Sequence, residues 1–302
     1  MKILLTGSNG LLGQKLVALL HQAPGIELIA TARGINRLAA SYPDLHFVPL
    51  DVTEAAQVQQ VLAQQRPTHV IHTAAMTQVD ECELNQAACW AQNVTAVEYL
   101  AAACAQLDIH LTHLSTDFIF NGAEAMLNEE ATPDPISHYG ASKLAAEQVV
   151  QRTPGLRWAI ARTVLVYGTT LVAGRSNLVL WVYNALRNSQ KIKVVNDQWR
   201  TPTLAEDLAQ GCWLLARQSA QGIFHLSGRE LLTPYQMAGQ VATVFGLDIA
   251  LLEQVDAQTF SQPARRPLRT GFSIAKAERE LGYRPNSFAE GLALVQRQLD
   301  GI

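Results

Sequence analysis

Gly7-Ser8-Asn9-Gly10-Leu11-Leu12-Gly13 decides the fold of this chain. The stretch follows the apolar run Ile3-Leu4-Leu5 and leads into Lys15-Leu16-Val17-Ala18-Leu19-Leu20, whose apolar residues recur at helical spacing. A buried strand, a glycine turn and a helix start therefore stand in order. Glycine lets the backbone turn sharply and approach a pyrophosphate with no Cβ in the way. The helix start offers unpaired N–H groups and the positive end of its dipole to the anion. In that context the triplet points to a dinucleotide-binding turn.

Further along, strands and helices alternate. Strands are expected at 2–6, 27–32, 46–50, 70–73, 109–115 and 157–162, and helices at 11–22, 54–65, 86–106 and 139–151. The strand runs are short and almost continuously apolar, as strands covered on both faces must be. The fold class is α/β: a doubly wound, Rossmann-type parallel sheet with a smaller α/β substrate lobe. Residues 1–165 are expected to form the NADP(H)-binding domain and 166–302 the substrate lobe, with 196–228 partly packing back on the first domain. In the lobe, helices are expected at 177–187, 204–217, 234–245, 274–281 and 288–299, and strands at 191–195 and 223–227.

Composition excludes several function classes. The chain has 302 residues, 48% hydrophobic and 16% charged, enough for a sizeable core. Its net charge of −3 argues against nucleic acid as a partner. Thr6 to Gly10 interrupt the apolar N-terminus, so no translocation signal is expected there. No run approaches the roughly 20 apolar residues of a membrane span. Cys82, Cys89, Cys104 and Cys212 lack CxxC spacing and read as reduced thiols of a cytoplasmic protein. No cluster of histidines and carboxylates has metal-ligand spacing. The oligomeric state stays open, a homodimer included.

The end of the second strand selects the cofactor. A carboxylate there would hold the ribose of NAD, and an arginine the 2′-phosphate of NADP. This strand ends Ala32-Arg33-Gly34, with Arg37 one helical turn on. Glu27 lies at the wrong end. NADPH is therefore expected, without excluding NADH. Asp51-Val52, after the third strand, is placed either to meet the adenine or to cap the helix after Thr53.

Tyr139-Gly140-Ala141-Ser142-Lys143 opens a predicted helix, and its i, i+4 spacing puts a phenol and an ammonium on one face. The ammonium and the helix dipole should both favour the phenolate, bringing the phenol toward neutral-pH proton transfer. At the end of the fifth strand, Ser115-Thr116-Asp117 brings a hydroxyl to the cofactor edge of the sheet. Thr116 there can donate to a carbonyl oxygen or simply cap a turn.

These residues resemble the extended short-chain dehydrogenase/reductase family, and within it the dTDP-4-dehydrorhamnose reductases. Four stretches carry the likeness in the first part of the chain: Leu4 to Gly13, Ala74 to Asp80, Ser115 to Phe120, and Tyr139 to Glu147. In the second part it rests on Val195 to Gln198, Pro202-Thr203, and Pro263-Ala264-Arg265-Arg266-Pro267. The resemblance implies hydride delivery from NADPH to C4 of a nucleotide-linked 4-keto-6-deoxy sugar. Tyr139 would protonate the alkoxide, with Lys143 on the nicotinamide ribose and Thr116 beside them. It implies a cofactor lining of Gly7, Asn9, Gly10, Leu11, Leu12, Gly13, Arg33, Asp51, Val52, Ala74, Ala75, Met76, Thr77, Tyr139 and Lys143. Thr116, Asp117, Phe118, Leu165, Asn177 and Arg266 would face the substrate. Three departures are visible. Arg162-Thr163-Val164-Leu165 lacks the tryptophan usual after the sixth strand, Phe118 replaces a common tyrosine, and Met76 replaces a common histidine. The pocket should accordingly be more apolar. The resembling 4,6-dehydratases carry Thr-Asp-Glu where this chain has Thr116-Asp117-Phe118, and the epimerases keep NAD, which Arg33 disfavours. A non-catalytic NADP-binding subunit, like the β subunit of methionine adenosyltransferase, is the remaining alternative.

Overall fold

A computed structural model describes residues 1–172 and 176–301. In chain order the elements are β1 (Lys2–Thr6), α1 (Leu11–Leu20), β2 (Glu27–Ala32), β3 (Phe47–Pro49), α2 (Ala55–Gln65) and β4 (His69–His72). There follow α3 (Val79–Leu84), α4 (Gln86–Trp90), α5 (Ala96–Gln106), β5 (His110–Thr116), α6 (His138–Arg152) and β6 (Trp158–Thr163). Next come β7 (Val166–Tyr167), α7 (Leu178–Arg187), β8 (Ile192–Val195), β9 (Thr203–Leu204), α8 (Ala205–Arg217) and β10 (Gly222–His225). The chain closes with α9 (Pro234–Phe245), β11 (Leu252–Val255), α10 (Ala275–Leu281) and α11 (Phe288–Asp300).

The expected doubly wound sheet is the sheet found. Seven strands lie in the order β10-β6-β5-β4-β1-β2-β3, every neighbouring pair parallel. Chain order reverses between β1 and β4, and a parallel sheet opens its ligand crevice at such a point, beyond the strands' C-terminal ends. One face is sealed by α1, α8 and α10 over Leu5, Leu16, Leu20 and Leu208. The other is sealed by α2, α5 and α6 over Leu4, Ile29, Leu62 and Leu100. A third core, with Val182, Val194, Met237 and Leu292, belongs to the second part of the chain, where β8 pairs with β11. Helix α8 packs on α1 through the first of these cores, and β10 joins the central sheet beside β6.

The helix expected over 86–106 spans those residues, but it contains a π turn. Asn85, at φ −123° and ψ 59°, separates α3 from α4, and a π turn over Ala91–Thr95 separates α4 from α5. The π turn has a tertiary cause. Asn93 accepts from the Met76 N–H at 2.8 Å and donates to the Met76 carbonyl at 3.0 Å. Holding that loop with both ends of one amide requires the extra residue in the turn.

Candidate active site

Because the sheet is parallel, the residues after each strand converge on one edge. Three of them bring the cradle together. Gly7 (φ +72°) approaches the loop after β4 so closely that a Cβ would lie 2.8 Å from the Ala74 nitrogen. A Cβ on Gly13 would lie 2.2 Å from the Gly7 carbonyl oxygen. Gly10 opens α1 with no side-chain cap, which leaves the helix's first N–H groups facing the cradle. The Ser8 hydroxyl is buried with no hydrogen-bond partner in the structure. Asn9 donates to the Ile35 carbonyl at 3.1 Å and accepts from the Arg37 N–H at 3.2 Å, so it ties the glycine loop to the turn after β2. Leu11 and Leu12 are half-buried at the start of α1.

A small cavity lies beside this loop. Gly7, Arg33, Asp51, Val52 and Ala74 all line it, together with Gln92, which no sequence signal had marked. Among the described residues no ion pair or hydrogen bond holds the Arg33 guanidinium, which stays exposed. Asp51 is not the cap of α2. Its carboxylate accepts from the Thr53 N–H (3.0 Å) and hydroxyl (2.7 Å), a turn that ends before the helix begins at Ala55. Ala75 and Met76 are half-buried on the loop after β4, and Thr77 is exposed. A glycine turn packed too tightly for a Cβ at Gly7 or Gly13, a Ser8 hydroxyl without a partner among the described residues and an unpaired arginine after β2 together fit a phosphorylated dinucleotide.

The second half of the site is built on α6. Ser137 caps it, accepting from the Gly140 N–H at 3.2 Å. Gly140 is required because a Cβ there would sit 2.1 Å from the Phe118 carbonyl oxygen. That close approach brings Tyr139 and Lys143 to the end of β5. The Tyr139 ring is buried edge-on to Phe118, centroids 5.7 Å apart, and its phenol has the Thr116 hydroxyl as hydrogen-bonding partner. Lys143 is buried, donates to the Leu114 carbonyl at 2.7 Å and lies 3.4 Å from Nε2 of His113.

The electrostatics differ from the expectation. Burial pushes the phenol well above its ordinary value, and the Thr116 hydrogen bond only partly opposes this. Burial also brings Lys143 down to about 8. Desolvation thus outweighs the anticipated pull of the ammonium toward phenolate.

Thr116 both meets the phenol and caps a turn, since it accepts from the Phe118 N–H at 3.3 Å and donates to Asp117 at 3.0 Å. Asp117 is buried, not solvated. Burial raises its carboxyl, while Arg200 (3.7 Å), Thr270 and Thr116 work in the opposite direction. Arg200 escaped the sequence reading although it is a hub. Its guanidinium donates to the carbonyls of Trp199, Pro267 and Leu268 and lies over the Phe118 ring. Leu165, just past β6, is more than a third exposed at φ +37°, an uncommon backbone state for a leucine.

Two residues expected to face the substrate are committed elsewhere. Asn177 caps α7, accepting from the Leu180 N–H at 3.2 Å and donating to the Gly168 carbonyl at 2.8 Å. A helix N-terminus needs such an acceptor, so the amide's first task is structural. Arg266 pairs bidentately with Asp80 at 3.0 and 2.7 Å, where the fork matches the carboxylate. It clasps the proline-rich loop to α3 instead of presenting a free cation.

Known proteins match almost the whole length of this chain. The RmlD substrate binding domain model matches residues 1–300. The chain is 31% identical to a probable low-salt glycan biosynthesis reductase of Haloferax volcanii, covering 96% of each chain. It is 32% identical to a dTDP-4-keto-6-deoxy-D-glucose reductase of Streptomyces niveus, over 93% of this chain and 91% of that one. A zebrafish (Danio rerio) methionine adenosyltransferase 2 subunit beta is 27% identical, over 92% and 84%. Among solved structures, a dTDP-4-dehydrorhamnose reductase of Clostridium acetobutylicum superposes with a TM-score of 0.88 at 28% identity, over 99% and 100%. One from Bacillus anthracis, in complex with NADP, gives 0.83 at 27%, over 98% and 99%. The chain belongs to the RmlD substrate binding domain family.

Proposed function

We propose that this chain is an oxidoreductase that reduces the C4 ketone of a nucleotide-linked 4-keto-6-deoxy sugar with NADPH, in the cytoplasm. The observation that carries the reading is the buried phenol of Tyr139, set between Thr116 and Phe118 at the same sheet edge as the glycine cradle. When bound, the dinucleotide supplies the hydride. Arg33 would hold its 2′-phosphate, and Gly7, Gly10 and Gly13 leave room for its pyrophosphate. Lys143 would hold the nicotinamide ribose from its seat on the Leu114 carbonyl.

The proton comes from Tyr139. In this direction the phenol must be protonated before the step, and burial keeps it so throughout the neutral range. It gives its proton to the oxygen that was the carbonyl. The Thr116 hydroxyl steadies the phenol, and a turn of its proton from Asp117 would let it donate to the developing alkoxide. Phe118, Leu165 and Met76 supply an apolar wall, which suits a sugar whose C6 has lost its hydroxyl.

The test is an assay of NADPH consumption with a panel of 4-keto nucleotide sugars. Tyr139→Phe should lower kcat by about 10²–10⁴, the usual worth of a placed general acid, and leave dinucleotide affinity unchanged. Equal turnover in that variant removes Tyr139 from the mechanism. The second reading is a non-catalytic dinucleotide-binding subunit, favoured by the likeness to methionine adenosyltransferase 2 subunit beta. A stable complex with a larger enzyme, and no turnover of any 4-keto sugar, would decide for it.

A further inference from the structure

Two thiols lie directly beneath the phenol. Cys82 on α3 and Cys89 on α4 are fully buried and form one cluster with Tyr139, walled by half-buried Met76, Val79 and Phe118. The two side chains pack within this one buried cluster. Cys82 also donates to the Met76 carbonyl at 3.6 Å. Cys89 donates to the Ser142 hydroxyl at 3.4 Å and accepts from the Asn93 amide at 3.4 Å. Cys104 and Cys212 are different. Each sits within one of the apolar cores on the two faces of the sheet, and burial pushes each thiol up to about 12. Cys89 moves the other way, to about 6, chiefly through its neighbour Cys82 and against its own burial. A thiolate is the reactive form of cysteine, so the pair is chemically distinct from the other two.

The surroundings make the pair consequential. The Ser142 hydroxyl that accepts from Cys89 itself donates to the Tyr139 carbonyl at 2.8 Å. The Asn93 amide that donates to Cys89 also holds both backbone groups of Met76. The helices that carry the thiols are short, six and five residues, and meet at Asn85.

We propose that Cys82 and Cys89 are an oxidisable dithiol that closes to a disulfide beneath Tyr139 when the protein meets a hydroperoxide, and so switches the site off. The Cys89 thiolate attacks one peroxide oxygen, the O–O bond breaks, and the second oxygen leaves as water after taking a proton. Cys89 is then a sulfenic acid. The Cys82 sulfur attacks the Cys89 sulfur, the S–O bond breaks, and hydroxide leaves as water with the Cys82 proton. Two thiols and one hydrogen peroxide give one disulfide and two waters. A disulfide is about 2.05 Å long, so closing it requires each sulfur to turn from its present partner toward the other. Cys89 then withdraws from Ser142 and Asn93, and through them disturbs Tyr139 and the Met76 loop.

Only the loss of turnover rests on the proposed reduction; disulfide formation does not. The full-length protein is treated with hydrogen peroxide at neutral pH, alkylated, and mapped by mass spectrometry. NADPH affinity and turnover are measured on the same samples. The expected result is a Cys82–Cys89 disulfide with Cys104 and Cys212 still reduced, a loss of turnover of at least tenfold, and recovery with dithiothreitol. Cys89→Ala should resist the treatment. Cys82→Ser, which keeps a polar neighbour beside Cys89 but cannot close a disulfide, should stop at a Cys89 sulfenic acid that dimedone traps, an independent readout should the first variant fail to fold. Should the untreated protein reduce no 4-keto sugar, the functional reading fails, and the disulfide map with NADPH affinity still decides this proposal. It is overturned if the folded protein forms no Cys82–Cys89 disulfide, if all four thiols oxidise at one rate, or if the disulfide leaves turnover and NADPH affinity unchanged.

Discussion

Arg33 stands just past the end of β2 with no internal partner among the described residues, and the proposed function gives it the 2′-phosphate of NADPH. A charge-assisted contact of this kind is worth about 1.5–3 kcal/mol, or about 10- to 150-fold in affinity. Arg33→Ala should weaken NADPH by that much and NADH hardly at all, as measured by fluorescence titration of both cofactors. Equal losses would refute the assignment. The placement of Gly7, Gly13, Tyr139 and Lys143 was legible in the sequence because it follows from local geometry: a tight turn, or one face of one helix. Asn93 and Arg200 were not. Each acts through partners well away in the chain, Met76 for one and Asp117 and Leu268 for the other, and no local pattern announces such contacts. The phenol's raised value was missed for a related reason. Spacing reveals a neighbouring charge, whereas burial emerges only from tertiary packing.

Helix α6 carries both key side chains, so its attachment to the sheet governs their geometry. The attachment is a buried ion pair. Arg162 on β6 meets Glu147 on α6 with two hydrogen bonds, at 2.9 and 2.7 Å, and neither side chain reaches solvent appreciably. Removing one member leaves the other charge buried and unpaired, at about 3–5 kcal/mol. Glu147→Ala should therefore lower the unfolding free energy by that amount in a urea titration; an effect under about 1 kcal/mol would show that water or a neighbour replaces the carboxylate. The elements themselves were largely readable, β1 and β2 to the residue, since apolar runs and glycine turns alternate cleanly. Segments β7, β9 and β11 were not foreseen, because two- and four-residue strands carry too little periodicity to register. Neither was the π turn, which exists to serve Met76 and not its own sequence.

Across the whole molecule, the interior of the sheet holds neutral histidines. His69 and His72 on β4 lie in register with His110 and His113 on β5, and the ring of His72 stacks on that of His113. Burial lowers all four, His69 to about 4 and His72 to about 3, and also brings His225 to about 3. Their folded values lie below the unfolded value of about 6.5, so the unfolded state binds more protons as pH falls. Stability contributed by the neutral forms is complete above about pH 6.5 and is lost as pH drops toward 4 and 3. Asp207, raised to about 6 by burial, and buried Asp117 oppose the trend, since their protonation favours the folded state. The histidines outnumber them. The urea midpoint should fall steadily from pH 6.5 to 5, and a flat profile over that interval would contradict the assignment. No described helix is long and apolar enough to cross a membrane.

The most direct measurement follows an isotope. Deuterium placed on the nicotinamide C4 of NADPH should appear at C4 of the reduced sugar when the wild-type protein is given dTDP-4-dehydrorhamnose. Tyr139→Phe should bind the cofactor normally and form that product at a small fraction of the rate. Product without the label at C4, or undiminished labelling by the phenylalanine variant, would contradict the account.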